Sequence, residues 1–499
     1  MSGEPVSRRK ILTLAGLGAA AVAGGTAGWL AGWGAPEDER TDRPASTGGD
    51  LYQPPVLTSR DGLLEVELTA AAGARSAGMD ASVLGFNGTS PGPTLKVRPG
   101  DLLKVRLSNR LDQPTNLHTH GPEVSPAGNS DNPFVVIDPG DDFDYQIRIP
   151  DGHPPGTHWY HPHHHGTVAD QLFGGLMGAL VVDGGPDLGT SADRILLVSD
   201  LTLDGSGVAA VSPRDRMLGR EGELVLVNGA RRPVIEAAPG SSERWRVVNT
   251  CTSRVLSLRL EGHRLTQLSL DGRFLPAPVE LDRLVLAPGN RADLLIRPRE
   301  AGRYALITDP YDRGGPGMMG GPGPGPGPGR GRGNTPFTTD PVTLATLSVS
   351  GRATTSSQPP ASLPAPSAPA GKTARQRRVA FQMGMGTGRG MMDFTIDGRS
   401  YDPDRDDQVV RLGDVEEWTV VNESPMDHPF HLHVWPVQVM AAGGGDPPAA
   451  GVRQDVVLIP ARGWVRLRIP FIGLSGRTVY HCHILDHEDL GMMATVDVR

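Results

Sequence analysis

One short unit recurs three times in this chain, and it restricts the fold to strands. A turn precedes a run ending on asparagine: Pro99-Gly100-Asp101 before Val105-Arg106-Leu107-Ser108-Asn109, Pro239-Gly240 before Trp245-Arg246-Val247-Val248-Asn249, and Leu412-Gly413-Asp414 before Trp418-Thr419-Val420-Val421-Asn422. Alternating side chains such as Leu103-Lys104-Val105-Arg106-Leu107 have the two-residue period of a strand with one buried face. Three well-separated copies of one strand unit indicate three copies of one β-sandwich. The 66 glycines and 46 prolines suit many short strands divided by turns.

Composition sets the boundaries. The expected domains are residues 51–183, 191–350 and 377–499, with a Ser/Pro/Ala-rich linker over 351–376. Inside the second domain, residues 314–333 alternate Gly and Pro around Met318-Met319 and are expected to form a surface insertion with no core. Residues 1–45 are excluded from the fold. Ser7-Arg8-Arg9-Lys10 followed by an Ala/Gly-rich apolar run has the form of a twin-arginine export signal, cleaved or kept as an anchor. The expected location is therefore the periplasm, the cell envelope or the exterior. A net charge of −8 argues against nucleic acid as a partner.

The chemistry is concentrated at the end of the chain, in His481-Cys482-His483, His487 and Met492. On a strand, Cys482 faces one way while His481 and His483 face the other. Two metal sites would then be joined by a few covalent bonds. A thiolate, an imidazole and a thioether are the ligand types of a blue-copper site that still lacks one histidine. Upstream, His428-Pro429-Phe430-His431-Leu432-His433 has the matching parity: His428 can join Cys482, while His431 and His433 join His481 and His483. His118-Thr119-His120-Gly121 and His161-Pro162-His163 add two more same-parity pairs. Only one other cysteine exists, Cys251, which reads as a small buried core residue rather than half of a disulfide.

In order and spacing, these four segments resemble the four copper-binding motifs of the multicopper oxidases. The resemblance implies three cupredoxin-like Greek-key sandwiches and four copper ions. It implies a type 1 copper on His428, Cys482, His487 and Met492, with Met493 an adjacent competitor for the axial place. The type 2 copper would take His118 and His431. The type 3 pair would take His120, His161, His163, His433, His481 and His483. The family also places two carboxylates for proton handling. Glu488 matches one, and Asp131 is the better match for the other, with Asn129 the ungapped alternative. His164 and His165 fall outside the pattern, His153 and His158 read as surface or outer-sphere groups, and His263 reads as a bland surface residue.

The implied activity is four one-electron oxidations at an exposed type 1 copper, coupled to reduction of O2 to two waters. Phenols and aromatic amines are the preferred donors, as in laccases. The alternative is a Cu(I) or Fe(II) oxidase, which the soft thioethers of Met318, Met319, Met383, Met385, Met391 and Met392 would suit unless they merely pack. A cupredoxin scaffold without metal fits poorly, because every ligand position is filled.

Overall fold

The computed structural model describes residues 48–76, 79–205, 207–315, 340–355, 360–365, 371–385, 392–444 and 452–499. The Arg8-Arg9 segment, Met318, Met319, Met391 and nearly all of the Gly/Pro insertion lie outside those residues. Among the described residues, no helix is long and apolar enough to cross a membrane.

The recurring unit forms the same structure each time. Leu102–Arg110 pairs in parallel with Leu63–Ser76 and antiparallel with Asp142–Arg148. Glu243–Asn249 has the same two neighbours in Ala192–Leu201 and Arg291–Ile296, and Val415–Asn422 has them in Thr373–Met385 and Trp464–Pro470. The terminal asparagine explains its own recurrence, because its amide carries both acceptor and donors. Asn109 Oδ1 accepts from Leu111 N while Nδ2 donates to Gln113 O and Ile137 O. Asn249 binds Cys251 N, Arg254 O and Leu286 O. Asn422 does likewise with Ser424 N, Met426 O and Ile459 O. Each asparagine thus pins a strand end to a neighbouring loop.

Six sheets result, two for each third of the chain. Three separate apolar cores lie between the paired sheets, spanning residues 64–182, 196–349 and 379–498. The edges differ slightly from the compositional boundaries. Leu51 donates its N–H to Val234 O and packs on the second core, so the chain enters along the second sandwich. The third sandwich begins at Thr373 rather than Arg377, because that strand pairs with Val415 from its first residue. Leu363 is buried against Leu268, Phe274 and Leu295, which anchors part of the linker to the second sandwich.

The sandwiches also pack closely on one another. Strands Glu243–Asn249 and Gly156–His161 are buried on both faces rather than one. Trp159, Ile195, Leu197, Val248 and Leu485, drawn from all three thirds, share one apolar cluster. A strand covered on both sides must pair its charges, and Arg246 does so with Asp193.

Candidate metal centre

Strand register delivers the parity anticipated from sequence. Strand His428–Leu432 runs antiparallel to Gly476–Cys482, with Phe430 opposite Cys482 and His431 opposite His481. Cross-strand partners share a face, so His428, two residues from Phe430, falls on the side of Cys482. In the first sandwich His118 lies opposite His161. Met493 pairs with His481 and so faces the histidine side. Met492 lies in the apolar core with Cys482, its carbonyl accepting from Cys482 N–H. This places Met492, not Met493, on the thiol's side.

Two imidazole nitrogens converge on the thiol. Cys482 Sγ is 3.3 Å from His428 Nδ1 and 3.9 Å from His487 Nδ1, and the two nitrogens are 3.4 Å apart. The point equidistant from these atoms lies about 2.1 Å from each, the bond length of a first-row metal to nitrogen or sulfur. Second partners set both tautomers. Ser424 Oγ donates to Met426 O and therefore accepts from His428 Nε2–H at 2.7 Å. His487 Nε2–H donates to Met217 O at 3.1 Å. Each ring is left with a bare Nδ1 aimed at sulfur. Burial pushes the Cys482 thiol up, so a thiolate here needs a cation beside it.

On the opposite face eight imidazoles gather. Nε2 of His481 lies 3.1 Å from that of His163 and 3.2 Å from that of His433. His118 approaches His431 and His433 on one side and His120 and His161 on another, closely enough in each case to share an ion. His483 lies against His120, with ring centroids 5.0 Å apart. Burial holds all eight pKa values below the usual range, so these rings are neutral. Nε2 of His118, His161 and His431 and Nδ1 of His120 have no hydrogen-bond partner. Neutral nitrogens buried without donors fit metal cations and little else.

Both candidate carboxylates are buried beside these rings. Glu488 Oε2 is 3.0 Å from His481 Nδ1 and Oε1 is 3.6 Å from His163 Nε2, and burial raises its pKa to about 7. Asp131 accepts from His118 Nδ1–H at 3.0 Å and from Thr119 N–H, with its pKa raised by burial to about 8. Asn129 is exposed and donates to Asp144 O, away from the cluster.

Several expectations need correction. The type 1 site was expected to be exposed, yet His487, its expected outer ligand, is fully buried. Helix α2 (Pro213–Leu218) of the second sandwich covers it, started by a Ser212 cap and Pro213. Helix α3 (Leu485–Asp489), which carries His487 and Glu488, is held from two sides. Asp489 accepts N–H bonds from Gly166, Val168 and Ala169, at the start of helix α1 (Val168–Gly174). Asp486 accepts from Arg220, which also donates to Asp170. Of the two alternatives for His153 and His158, surface or outer-sphere, burial removes the first: Gly272 and Arg273 of the second sandwich lie over this loop and strand. His263 and Cys251 are as expected: His263 rests edge-on against Tyr304, and Cys251 is buried. Asp455 was not anticipated. Its carboxylate lies 3.1 Å from His120 Nε2, and its carbonyl accepts from His431 Nδ1–H at 2.8 Å. The one cue was an acid next to the apolar run Val456-Val457-Leu458-Ile459.

Three family models described as multicopper oxidase match residues 67–187, 156–318 and 372–499. The chain belongs to the multicopper oxidase family. It is 27% identical over 432 residues to multicopper oxidase mco of Staphylococcus haemolyticus, covering 84% of each chain. A solved multicopper oxidase from Campylobacter jejuni, described as a metallo-oxidase, superimposes with a TM-score of 0.78 at 29% identity, over 91% of this chain and 96% of that one. The laccase-like CueO of Ochrobactrum sp., active towards lignin model compounds, gives 0.74 at 26% identity, over 90% and 100%. The fold is therefore the family's three cupredoxin sandwiches, and the protein is a copper-dependent oxidoreductase using O2.

Proposed function

We propose that the protein oxidises small one-electron donors, with Cu(I) or Fe(II) ahead of phenols, and passes their electrons to O2. The observation that carries this reading is the contact between His487 Nε2 and Met217 O. In an open phenol site the outer edge of this ring would be accessible to an aromatic donor. Here a backbone carbonyl occupies it, and electrons must cross α2. Met217, Met383 and Met392 are partly buried against the core that contains the thiol, which leaves soft thioethers on the surface of this sandwich even though they also pack. The likeness to a metallo-oxidase supports the same preference.

In this reading the type 1 ligands are His428, Cys482, His487 and Met492. His118 and His431 would hold the type 2 ion, and His120, His161, His163, His433, His481 and His483 would hold the type 3 pair. Bound copper would supply the one-electron redox chemistry, with four ions matching the four electrons that O2 needs. The chain's part is to connect and to protonate. The Cys482 backbone links sulfur to the His481 and His483 rings through a few bonds. Glu488, buried beside His481 and His163, is placed to deliver and accept protons there, and Asp131 fixes His118 through Nδ1. Arg8-Arg9 would direct export of the folded protein, and Arg8→Lys with Arg9→Lys should retain it in the cytoplasm.

Oxygen uptake by the copper-loaded enzyme with Cu(I), Fe(II) and a dimethoxyphenol as donors tests the main reading. Turnover per micromolar donor should be highest for a metal ion. A clear preference for the phenol would return the protein to the laccase reading.

A further inference from the structure

The second sandwich contributes no ligand, yet its Ala287–Arg291 turn forms a wall of the histidine cluster. Gly289 adopts φ +88°, and a Cβ there would lie 2.9 Å from His483 Nε2 and 3.1 Å from His120 Cε1. Two residues on, Arg291 is fully buried. Its Nη1 donates to Asp455 Oδ1 at 2.6 Å and its Nη2 to Oδ2 at 2.7 Å, a two-pronged grip on a residue of the third sandwich. Two of the three remaining N–H donors are also engaged: Nη1 reaches Gly289 O and Nε reaches Thr157 O. Asp271, also in the second sandwich, accepts from the N–H groups of Asp455 and Val456.

We propose that Arg291 is a positioning residue for the copper cluster, acting through Asp455 on one histidine from each end of the chain. The Asp455 carboxylate can only accept, so His120 must carry its proton on Nε2 and present bare Nδ1. The Asp455 carbonyl likewise accepts from His431 Nδ1–H and leaves Nε2 bare. Those two atoms are among the unpartnered nitrogens of the cluster. One residue therefore sets two tautomers, and the guanidinium fork fixes that residue's orientation. Partners behind a metal-ligating histidine typically carry 10–100-fold in metal affinity. The middle sandwich is thus part of the cluster's construction and not a spacer.

This proposal rests on the ligand assignment above, and the test separates the two. In full-length copper-loaded protein, Arg291→Lys keeps the charge and loses the fork. It should retain the blue band while cluster copper, measured by chelator competition, binds about 10–100-fold more weakly. The type 2 electron paramagnetic resonance splitting should change as well. Asp455→Asn, a second variant should Arg291→Lys fail to fold, should reproduce both effects, and combining the two should add little. An unchanged type 2 spectrum and unchanged cluster affinity in folded, blue variants would overturn the proposal. So would loss of the blue band in step with the cluster. His120→Ala is the control: full cluster copper in that variant would overturn the ligand assignment itself.

Discussion

The cysteine pocket and the histidine cluster lie on opposite faces of one sheet, and they are assembled in opposite ways. The metal-binding side chains of the pocket all come from the third sandwich, where His428, Cys482 and His487 come close enough to share an ion. The other sandwiches add cover, in Met217 over His487 and in the Asp489 and Asp486 bonds that hold α3. The cluster draws four histidines from each end of the chain and forms only when two sandwiches dock. There the middle sandwich adds a wall. The pocket is a property of a domain and the cluster a property of an interface, so damage should spread differently from each.

The largest effect should follow removal of the thiol. Cys482→Ser should abolish the blue charge-transfer band and O2 uptake, because an alcohol oxygen provides no thiolate. Cluster copper should remain, since none of its eight imidazoles is touched. Visible absorption and copper analysis on one sample decide the matter. A variant that stayed blue would remove the basis for the pocket as drawn.

The converse change is His433→Ala. It takes one imidazole from the group with His163 and His481 and leaves His428, Cys482 and His487 in place. The protein should remain blue, be reduced by donor under anaerobic conditions, and fail to reoxidise in air. If the blue colour vanished as well, the two regions would not be separable.

A smaller effect, on stability, should appear on the interface side. His153 is buried beside Arg273 and Glu123, and burial lowers its pKa to about 4. Above pH 6.5 the ring is neutral in both folded and unfolded chains. Between 6.5 and 4 the unfolded chain takes up a proton that the folded chain refuses, so stability falls with pH across that window. The contribution is roughly 3 kcal/mol by pH 4. Thermal unfolding of wild type and His153→Gln at pH 7 and pH 4.5 isolates it. Wild type should lose more on acidification, and equal losses would contradict the assignment.

How much was legible in the sequence follows the same division. Parity along a strand is local, so the split of His481 and His483 from Cys482 could be read from three letters. The asparagine repeat was equally local, and it marked the three sandwiches. Asp455 is distant in sequence from Gly289 and Arg291 and forms no spaced motif with them, so the wall they build was invisible. A charged pair inside the apolar run Arg291-Ala292-Asp293-Leu294-Leu295-Ile296 was the only sign that this strand is covered on both faces. The cover on His487 was hidden for another reason: it is a backbone carbonyl on a six-residue helix, which leaves no side-chain signature. For His153 and His158 the surface and outer-sphere alternatives stayed open in the sequence, because the loop and strand that carry them show no sign of the second sandwich lying over them.

The smallest effect should come from the axial residue. Met492 is buried with Cys482, while Met493 lies opposite His481 on the other face. Met492→Leu nearly conserves volume, so the cost in stability should stay below about 1.5 kcal/mol. The change instead removes a thioether that donates more to Cu(II) than to Cu(I), so the type 1 potential should rise. Redox titration of the blue band measures this directly, with Met493→Leu as the internal comparison. A higher potential for the first variant and none for the second would confine the axial sulfur to the pocket's side of the sheet. The reverse result would show that the parity separating Cys482 from His481 along their strand does not carry over to the axial residue.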